Sequence, residues 1–284
     1  MRTVYVNGEF VSEDKATISV FDRGFLFADG VYEVVSVLDG KLIDFGGHCG
    51  RLRRSLGELN MVFDTRDDEL LDIHRQLVEA NGLKEGLVYL QVTRGVADRD
   101  FAYPPAETPA TLVLFTQQKT LLDNPLAESG IKVATVEDRR WTRCDIKTVQ
   151  LLYPSMAMME ANTAGAHDAW MVRDGLVTEG SSNNAYIVTA DGTIVTRDLS
   201  SLILSGITRR AVLGCARELL MTVEERPFTV EEAHAAKEAF VTSASKFVVP
   251  VVSIDGQPVG DGTAGPVARA LRKAYIEEAQ RFAV

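Results

Sequence analysis

One lysine of this chain stands in an apolar stretch that follows a group of arginines. Lys147 lies in "DIKTVQLL", and Arg139, Arg140 and Arg143 precede it. Removal of water from an amine and nearby positive charge both favour its neutral form. A neutral lysine amine is a nucleophile that can form a Schiff base with a carbonyl compound. The stretch therefore predicts covalent chemistry at Lys147, although by itself it is also typical of a lysine that extends to solvent from a half-buried strand.

A carboxylate follows a predicted strand in "VTEGSSNN". Glu179 precedes a turn of small residues that includes Ser181. A carboxylate in such a place can hold a protonated ring nitrogen, while hydroxyls and backbone N–H groups bind oxygens. An ordinary turn at the end of a strand has the same composition, so the motif alone leaves both interpretations open.

A glycine precedes a predicted helix in "ILSGITRR". Gly206 comes directly before Ile207, and Thr208 adds a hydroxyl in the first helical turn. The free N–H groups at the start of a helix attract phosphate. The stretch lacks the GxxxxGK[ST] pattern of a P-loop, and a plain helix start is the alternative interpretation.

The composition argues against several other classes of protein. The net charge is -10 and the basic residues are scattered, which disfavours nucleic acid as a partner. No run approaches the roughly 20 apolar residues of a membrane span, and no signal-peptide core is visible, so we expect a cytoplasmic protein without membrane contacts. The three cysteines and four histidines lack the spacing of a disulfide framework or a metal site, and GxSxG is absent. We therefore expect no metal.

The elements that must position these residues fall into two groups. Turns at Asn7-Gly8 and Asp39-Gly40 join alternating strands, and two amphipathic helices and two further strands follow. Turn formers gather near 119–125, which predicts a boundary between an N-terminal lobe, 1–120, and a larger C-terminal lobe, 121–284. The helices expected in the second lobe cover about 154–164, 207–220, 230–237 and 267–282. Strands and helices are grouped rather than strictly alternating, which predicts an α+β fold.

Five short motifs occur in the order that is typical of one enzyme family. They are "HCGRL", "RCDIK", "TEGSS", "SGITRR" and "FVTSAS". Together they make the chain resemble, from end to end, the fold-type IV (class IV) aminotransferases, which use pyridoxal 5'-phosphate. "FDRGFLFADGVYEVVSV", and "VTRG" followed by "DRD", are most similar to the D-amino-acid transaminase subgroup. The resemblance implies a two-lobed fold and a homodimer with its active site at the subunit interface.

The family pattern implies a role for each matching residue. Lys147 would form the Schiff base with the cofactor, and Glu179 would keep the pyridine nitrogen protonated. Arg51 would neutralise the phosphate, and Leu204 would pack on the ring face. The other implied cofactor contacts are Ser181, Ile207, Thr208, Ser243 and Ala244. Some relatives carry threonine in the last stretch, whereas Ala244 would offer only its backbone N–H.

D-amino-acid transaminases bind the substrate carboxylate with a tyrosine, an arginine and a histidine. Tyr32 and Arg99 match this trap, but Phe101 stands where the histidine of the R-x-H pair would be. Phenylalanine cannot donate a hydrogen bond, and loss of one donor to a carboxylate typically costs about 1.5–3 kcal/mol. We therefore expect a weaker trap that leaves room for (R)-primary amines. Arg23 and Arg94 are the next candidates for binding the carboxylate.

These inferences predict an enzyme that transfers an amino group from a D-amino acid, such as D-alanine or D-glutamate, to a 2-oxo acid, with side activity on (R)-primary amines. Branched-chain or (R)-amine transaminases and aminodeoxychorismate-type lyases share the C-terminal motifs and are alternatives. A non-catalytic binding protein on the same fold is another, because fold alone does not determine function.

Overall fold

The computed structural model describes all 284 residues as two compact units. Unit 1 contains Met1–Thr120, Ile146–Gln150 and Ala279–Val284, and unit 2 contains Leu121–Asp145 and Leu151–Glu278. The sequence placed everything after residue 120 in the second lobe. Two short segments of that stretch therefore lie in unit 1 instead.

Unit 1 combines one sheet with three helices. Its strands are β1 (Thr3–Val6), β2 (Glu9–Ser12), β3 (Gly30–Leu38), β4 (Lys41–Leu42), β5 (Glu85–Thr93) and β6 (Thr111–Gln118). Its helices are α1 (Arg23–Phe27), α2 (Phe45–Glu58) and α3 (Asp67–Ala80). The strands form one antiparallel sheet in the order β2-β1-β6-β5-β3-β4.

Tight turns and apolar helix faces account for this arrangement. Asn7, Gly8, Asp39 and Gly40 all have positive φ, which confirms the two hairpins expected from the sequence. Helices α2 and α3 each bury one face against the sheet. The core formed there includes Val35, Leu52, Leu77, Val88 and Leu114. Complete burial of such a side chain stabilises a fold by about 1.5–3 kcal/mol.

The segment 146–150 belongs to unit 1 because its backbone pairs with β3. Thr148 forms an isolated antiparallel bridge with Val31. Ile146 is buried in the core of the same unit. Contacts between residues more than a hundred positions apart therefore decide where this segment lies, and its own sequence does not.

Unit 2 contains a larger, mixed sheet. Its strands are β7 (Ile131–Glu137), β8 (Asp168–Arg173), β9 (Leu176–Gly180), β10 (Asn184–Val188), β11 (Ile194–Thr196), β12 (Val223–Glu225), β13 (Glu238–Ser243), β14 (Phe247–Ile254) and β15 (Gln257–Pro258). Its helices are α4 (Pro125–Ser129), α5 (Leu152–Thr163), α6 (Ile207–Glu218), α7 (Val230–His234) and α8 (Pro266–Arg281), the last residues of which belong to unit 1. The sheet order is β12-β11-β10-β13-β14-β7-β8-β9, with β15 beside β14. Strand β7 runs parallel to both β14 and β8.

Aromatic residues occupy the core of unit 2. Tyr186 and Phe240 stack with 4.5 Å between ring centres, and Trp170 meets Phe228 edge to face. The four helices expected in this part of the chain are present, with ends shifted by a few residues. The sequence missed α1 and α4, because a single helical turn shows no apolar periodicity. No helix combines the length and the apolar character needed to cross a membrane.

Candidate active site

Lys147 lies in unit 1 with its amine against an aromatic ring. Its backbone N–H donates to Ser55 Oγ on α2 at 3.2 Å, and its carbonyl accepts from the N–H of Tyr32 on β3 at 3.0 Å. Nζ lies 4.1 Å from the centre of the Tyr32 ring. The side chain is half-buried, and no carboxylate pairs with Nζ. An amine held in place without a counter-ion is suited to nucleophilic chemistry.

The three arginines that precede Lys147 are each neutralised by a carboxylate. Within unit 2, Arg139 pairs with Glu137, Arg140 with Asp138 and Glu179, and Arg143 with Asp145. The expectation that these arginines supply uncompensated positive charge is therefore wrong. The reason is local, because acidic residues flank the arginines in the sequence and pair with them over short distances.

Arg51 of α2 is oriented by a buried carboxylate of β3. Its Nε and Nη2 donate to Glu33 Oε1 and Oε2 at 2.8 and 2.7 Å, and His48 Nδ1 lies 2.6 Å from Oε2. Burial alone would raise the pKa of Glu33, but the charge of Arg51 and the hydrogen bonds from Arg51 and His48 outweigh it and lower the pKa to about 2. Sequence reasoning missed Glu33 and His48. Their only signal was the position of His48 one helical turn before Arg51.

The predicted carboxylate-binding residues lie at two places in unit 1. Tyr32 stacks on Tyr89 with 5.6 Å between ring centres. The guanidinium carbon of Arg99, in the exposed loop after β5, lies 5.4 Å from the ring centre of Phe27 and 5.6 Å from that of Phe101. Phe101 is 81% exposed. No contact within unit 1 joins Tyr32 to Arg99, so their joint action on a substrate stays a prediction.

Arg23 and Arg94, the alternative carboxylate-binding residues, are both engaged by Asp29. The Nε atoms of the two arginines donate to Asp29 Oδ2 at 2.8 and 2.7 Å. All three side chains are almost fully buried. The expectation that Arg23 or Arg94 could bind the substrate carboxylate is wrong, because both guanidinium groups are almost fully buried and donate to Asp29 and to backbone carbonyls.

Glu179 is buried at the end of β9 in unit 2, with 5% of its surface exposed. Its Oε1 accepts from Arg140 Nη1 at 2.5 Å, and its Oε2 accepts from Asn184 Nδ2 at 3.2 Å and from the N–H of Leu204 at 3.1 Å. Burial raises the pKa of the Glu179 carboxyl, and the charge of Arg140 opposes this shift. Arg140 is itself anchored by Asp138, through Nη2 and Oδ2 at 2.7 Å. The donors hold the Glu179 carboxylate in one orientation.

Helix α6 begins with N–H groups that no side chain caps. Gly206 is the N-cap residue, and Ile207 and Thr208 occupy the buried first turn. A Cβ atom on Gly206 would lie 2.1 Å from Asn184 Oδ1, so any other residue here would displace the Asn184 amide that donates to Glu179. The N–H groups of Ile207 and Thr208 have no partner inside the helix, an arrangement that favours an anion.

Ser181 is tied to a buried carboxylate at the start of β8. Its Oγ donates to Asp168 Oδ1 at 2.5 Å, so its hydroxyl proton is not available to a ligand. Asp168 also accepts from Asn183 Nδ2 at 2.7 Å and lies 3.6 Å from Lys246 Nζ. Asp168 and Asn183 were missed from the sequence, since a buried carboxylate whose side-chain partners are distant in the chain has no local pattern.

The last predicted cofactor contacts lie where β13 ends. Ser243 is the final residue of the strand, and its Oγ lies 3.4 Å from Ser245 Oγ. Ala244 follows in the turn, and the side chains of 243–246 are half-buried. This turn therefore offers small groups and backbone N–H groups rather than charge, apart from Lys246.

The donor groups of the two units match the needs of pyridoxal 5'-phosphate. The cofactor carries an aldehyde, a basic ring nitrogen and a phosphate. Unit 1 offers the amine of Lys147 without a counter-ion and the oriented guanidinium of Arg51. Unit 2 offers the buried carboxylate of Glu179 and the uncapped start of α6. The chain thus contains a suitable group for each part of the cofactor.

Comparison with known proteins points to one family. The family model of the amino-transferase class IV proteins matches residues 30–254. D-alanine aminotransferases from Staphylococcus aureus (strain MSSA476) and Bacillus licheniformis are both 39% identical to this chain, over 97% and 95% of each sequence. A solved branched-chain aminotransferase from Thermoproteus uzoniensis, with norvaline, has a TM-score of 0.88 at 25% identity, and the match covers 100% of this chain and 98% of that one. A second solved branched-chain amino acid aminotransferase, with pyridoxamine 5'-phosphate, has a TM-score of 0.90 at 27% identity and the same coverage.

The match to the family model and the near-complete coverage by relatives confirm three predictions. The fold is α+β of fold type IV, the protein is an aminotransferase, and the cofactor is pyridoxal 5'-phosphate. The chain belongs to the class IV aminotransferases, the fold-type IV enzymes that depend on pyridoxal 5'-phosphate.

Proposed function

We propose that this enzyme transfers an amino group from a D-amino acid, such as D-alanine or D-glutamate, to a 2-oxo acid. The observation that carries the proposal is the amine of Lys147, held 4.1 Å from the Tyr32 ring centre without a carboxylate partner. The D configuration is supported by the 39% identity to D-alanine aminotransferases. Side activity on (R)-primary amines belongs to the proposal, since Phe101 cannot donate a hydrogen bond to a carboxylate.

Two residues have defined tasks in this reaction. Bound pyridoxal 5'-phosphate supplies an aldehyde that takes up the amino group and a ring that accepts electrons from the substrate Cα. Lys147 would hold the cofactor and then, as a free amine, take the proton from the substrate Cα and later return it. Glu179 would hold a proton on the ring nitrogen, and Arg140 and Asn184 keep its carboxylate in place.

The cofactor phosphate would be bound by Arg51 and by the first turn of α6. Arg51 is already oriented by Glu33, so little freedom would be lost on binding. Ile207 and Thr208 would add backbone N–H donors at the helix start. The other proposed cofactor contacts are Leu204, Ser243 and Ala244. Ser181, which the family pattern also implied, is not among them, because its hydroxyl donates to Asp168 and its N–H donates to the carbonyl of Ala169.

The substrate carboxylate would be bound by Tyr32 and Arg99. The guanidinium group of Arg99 contacts the rings of Phe27 and Phe101 and forms no ion pair with a carboxylate, so its charge is available to an incoming anion. Phe101, which stands where the family trap has a histidine, adds no hydrogen-bond donor.

We further propose a homodimer with the active site at the subunit interface. Two segments of unit 1, 18–25 and 96–103, expose large apolar side chains, and the bond from Ala97 N–H to Phe21 O joins them. The exposed members are Ile18, Val20, Phe21, Phe25, Val96, Phe101 and Tyr103. Clustered exposed apolar residues mark interaction surfaces. Light scattering should give twice the chain mass of 31.1 kDa, and Phe25→Asp should shift the protein towards the monomer.

The proposed reaction is tested directly with the cofactor-loaded enzyme. D-alanine and 2-oxoglutarate should give pyruvate and D-glutamate, which chiral chromatography identifies. Preference for L-valine or L-leucine over D-alanine would support the second candidate, a branched-chain aminotransferase, which the structural likeness favours. Turnover without an amino acceptor would indicate a lyase, and absence of any turnover would indicate a binding protein. Cell fractionation tests the proposed cytoplasmic location.

The role of Lys147 has its own test. Borohydride reduction of the loaded enzyme and peptide mapping should place the cofactor label on Lys147. Lys246→Ala is the matched control, because Lys246 is also half-buried but lies 3.6 Å from Asp168. Its removal should leave the label in place, whereas Lys147→Ala should abolish it. A label on any other lysine contradicts the proposed mechanism.

A further inference from the structure

Two buried arginines of unit 1 share one carboxylate. Asp29 Oδ2 accepts from Arg23 Nε at 2.8 Å and from Arg94 Nε at 2.7 Å. The side chain of Arg23 is 3% exposed, and those of the other two are 9% exposed. Burial of two guanidinium groups beside a single carboxylate is costly unless their other N–H groups are also bonded. The partners of those N–H groups therefore indicate what the cluster does.

A second nitrogen of the Arg23 guanidinium group bonds to the loop that carries Arg99. Its Nη1 donates to the carbonyl of Asp100 at 2.8 Å and to that of Ala102 at 3.3 Å. These two carbonyls flank Phe101. The guanidinium carbon of Arg23 also lies 4.5 Å from the ring centre of Phe27, the ring that contacts Arg99.

The backbone around Arg23 holds the beginning of the same loop. Arg23 N–H donates to Gly95 O at 2.9 Å, and Asp22 forms an isolated bridge with Val96. The Asp22 carboxylate accepts from Thr93 Oγ1 at 2.9 Å. The loop is thus bonded to the segment 22–23 both before and after Arg99.

Arg94 donates hydrogen bonds to a different part of unit 1. Its Nη2 and Nη1 donate to the carbonyls of Leu59 and Asn60, just beyond α2, at 2.8 and 3.2 Å. The ring of Tyr103 lies 3.7 Å from its guanidinium carbon. Arg94 therefore anchors Asp29 and packs on the end of the loop, whereas Arg23 bonds the backbone next to Arg99.

We propose that Arg23 is a positioning residue for substrate carboxylate binding. It does not touch substrate. It fixes the backbone of 99–102 by donating to the carbonyls of Asp100 and Ala102, and Asp29 orients its planar guanidinium group. Lysine cannot replace it, because a single ammonium does not present Nε and Nη donors to three acceptors in fixed directions. The inference rests on the proposed role of Arg99 in binding a D-amino acid.

The test compares Arg23→Lys with a matched control, Arg53→Lys. The guanidinium group of Arg53 has the same kinds of acceptors as that of Arg23. Its Nε donates to Asp67 Oδ1 at 3.0 Å, and its Nη groups donate to the carbonyls of Phe63 and Thr65. Arg53 therefore bonds to the loop between α2 and α3, not to the loop that carries Arg99. Both variants keep the positive charge and lose the planar set of donors. The side chain of Arg53 is 34% exposed and that of Arg23 is 3% exposed, so the comparison rests on which loop changes and not on overall stability.

Two readouts separate positioning from a general structural effect. Hydrogen–deuterium exchange of the loaded enzyme should be faster in peptides covering 96–104 in Arg23→Lys and unchanged there in Arg53→Lys. Arg23→Lys should raise KM for D-alanine roughly tenfold while changing kcat less, because misplacement of a binding group weakens the capture of substrate. The affinity for pyridoxal 5'-phosphate and the turnover of an (R)-arylalkylamine should stay as in the parent enzyme.

The outcomes distinguish this inference from the proposed function. Unchanged exchange of 96–104 in Arg23→Lys overturns the positioning role whatever the kinetics show. Faster exchange with an unchanged KM also overturns it, since the loop would then not matter for substrate. If the parent enzyme does not use D-amino acids, the proposed function fails, while the exchange experiment still reports whether Arg23 holds the loop. Should Arg23→Lys be insoluble, Arg23→Gln is compared with Arg53→Gln, a pair in which both variants lose the charge together with the guanidinium group.

Discussion

Tyr32 N–H donates to the carbonyl of Lys147 at 3.0 Å, and the ring centre of the same tyrosine lies 4.1 Å from Lys147 Nζ. One residue thus contacts the lysine at its backbone and at its amine. The Tyr32 ring is backed by Tyr89 at 5.6 Å, which stacks on Phe115 at 4.7 Å. Tyr32 therefore positions Lys147 through its ring, in addition to the proposed role of its hydroxyl in substrate binding.

Substitution of Tyr32 separates these two roles. Tyr32→Phe keeps the ring and loses the hydroxyl, so we expect a higher KM for D-alanine with a small change in kcat. Tyr32→Ala also removes the ring. We expect kcat to fall at least roughly tenfold, because the Lys147 amine loses the ring contact that positions it. Steady-state kinetics of both variants provide the measurement. Equal losses of kcat would show that the ring has no positioning role.

Replacement of Glu179 by glutamine should affect the reaction more than cofactor binding. The change preserves size but removes the charge that favours a protonated ring nitrogen, so we expect kcat to fall about 100-fold. The dissociation constant of the cofactor should rise less than that. Glu137→Gln is the control, because Glu137 also pairs with an arginine but is exposed. Parent-like kcat in Glu179→Gln would contradict the assignment.

The depressed pKa of Glu33 predicts a pH dependence of stability. Its pKa falls from 4.5 to about 2, so on acidification the unfolded chain takes up the proton before the folded one does. The stabilisation is therefore complete above about pH 4.5 and is lost as the pH falls towards about 2, by about 3 kcal/mol in total.

Urea unfolding of the parent and of Glu33→Gln at several pH values below about 5 measures this contribution. The variant should be less stable at neutral pH, and its stability should fall less on acidification. The exposed Glu9 gives the control variant Glu9→Gln, which should follow the parent curve. Parallel curves for the parent and Glu33→Gln would rule out a native carboxylate with a depressed pKa at this position.

Substitutions in the loop after β5 test the carboxylate trap. Arg99→Ala should reduce kcat/KM for D-alanine far more than for an (R)-arylalkylamine, because only the amino acid carries a carboxylate for the guanidinium to bind. Phe101→His restores a possible donor, so we expect a lower KM for D-alanine or D-glutamate with a smaller change for the amine. The ratio of the two kcat/KM values is the measured quantity. An unchanged ratio in Arg99→Ala would place carboxylate binding elsewhere in the protein.

Local signals in the sequence determined the elements and the family. Asn7-Gly8 and Asp39-Gly40 predicted hairpins because few residues tolerate the positive φ that such turns require. All helices except α1 and α4 followed from apolar periodicity and end signals, which are also local. The order of motifs around Lys147 and Glu179 was sufficient for the family, since each motif lies within a few residues.

Only the tertiary structure decided which charges meet and where Lys147 lies. Glu33 reaches Arg51 from 18 residues away, and Arg140 reaches Glu179 from 39 residues away. No periodicity reports such pairs, because burial selects the partner of a charge and burial depends on how distant strands and helices pack. The three arginines before Lys147 differ from these pairs, because each of them also has a carboxylate partner only two residues away. The amine of Lys147 instead meets the Tyr32 ring, since 146–150 pairs with the start of β3.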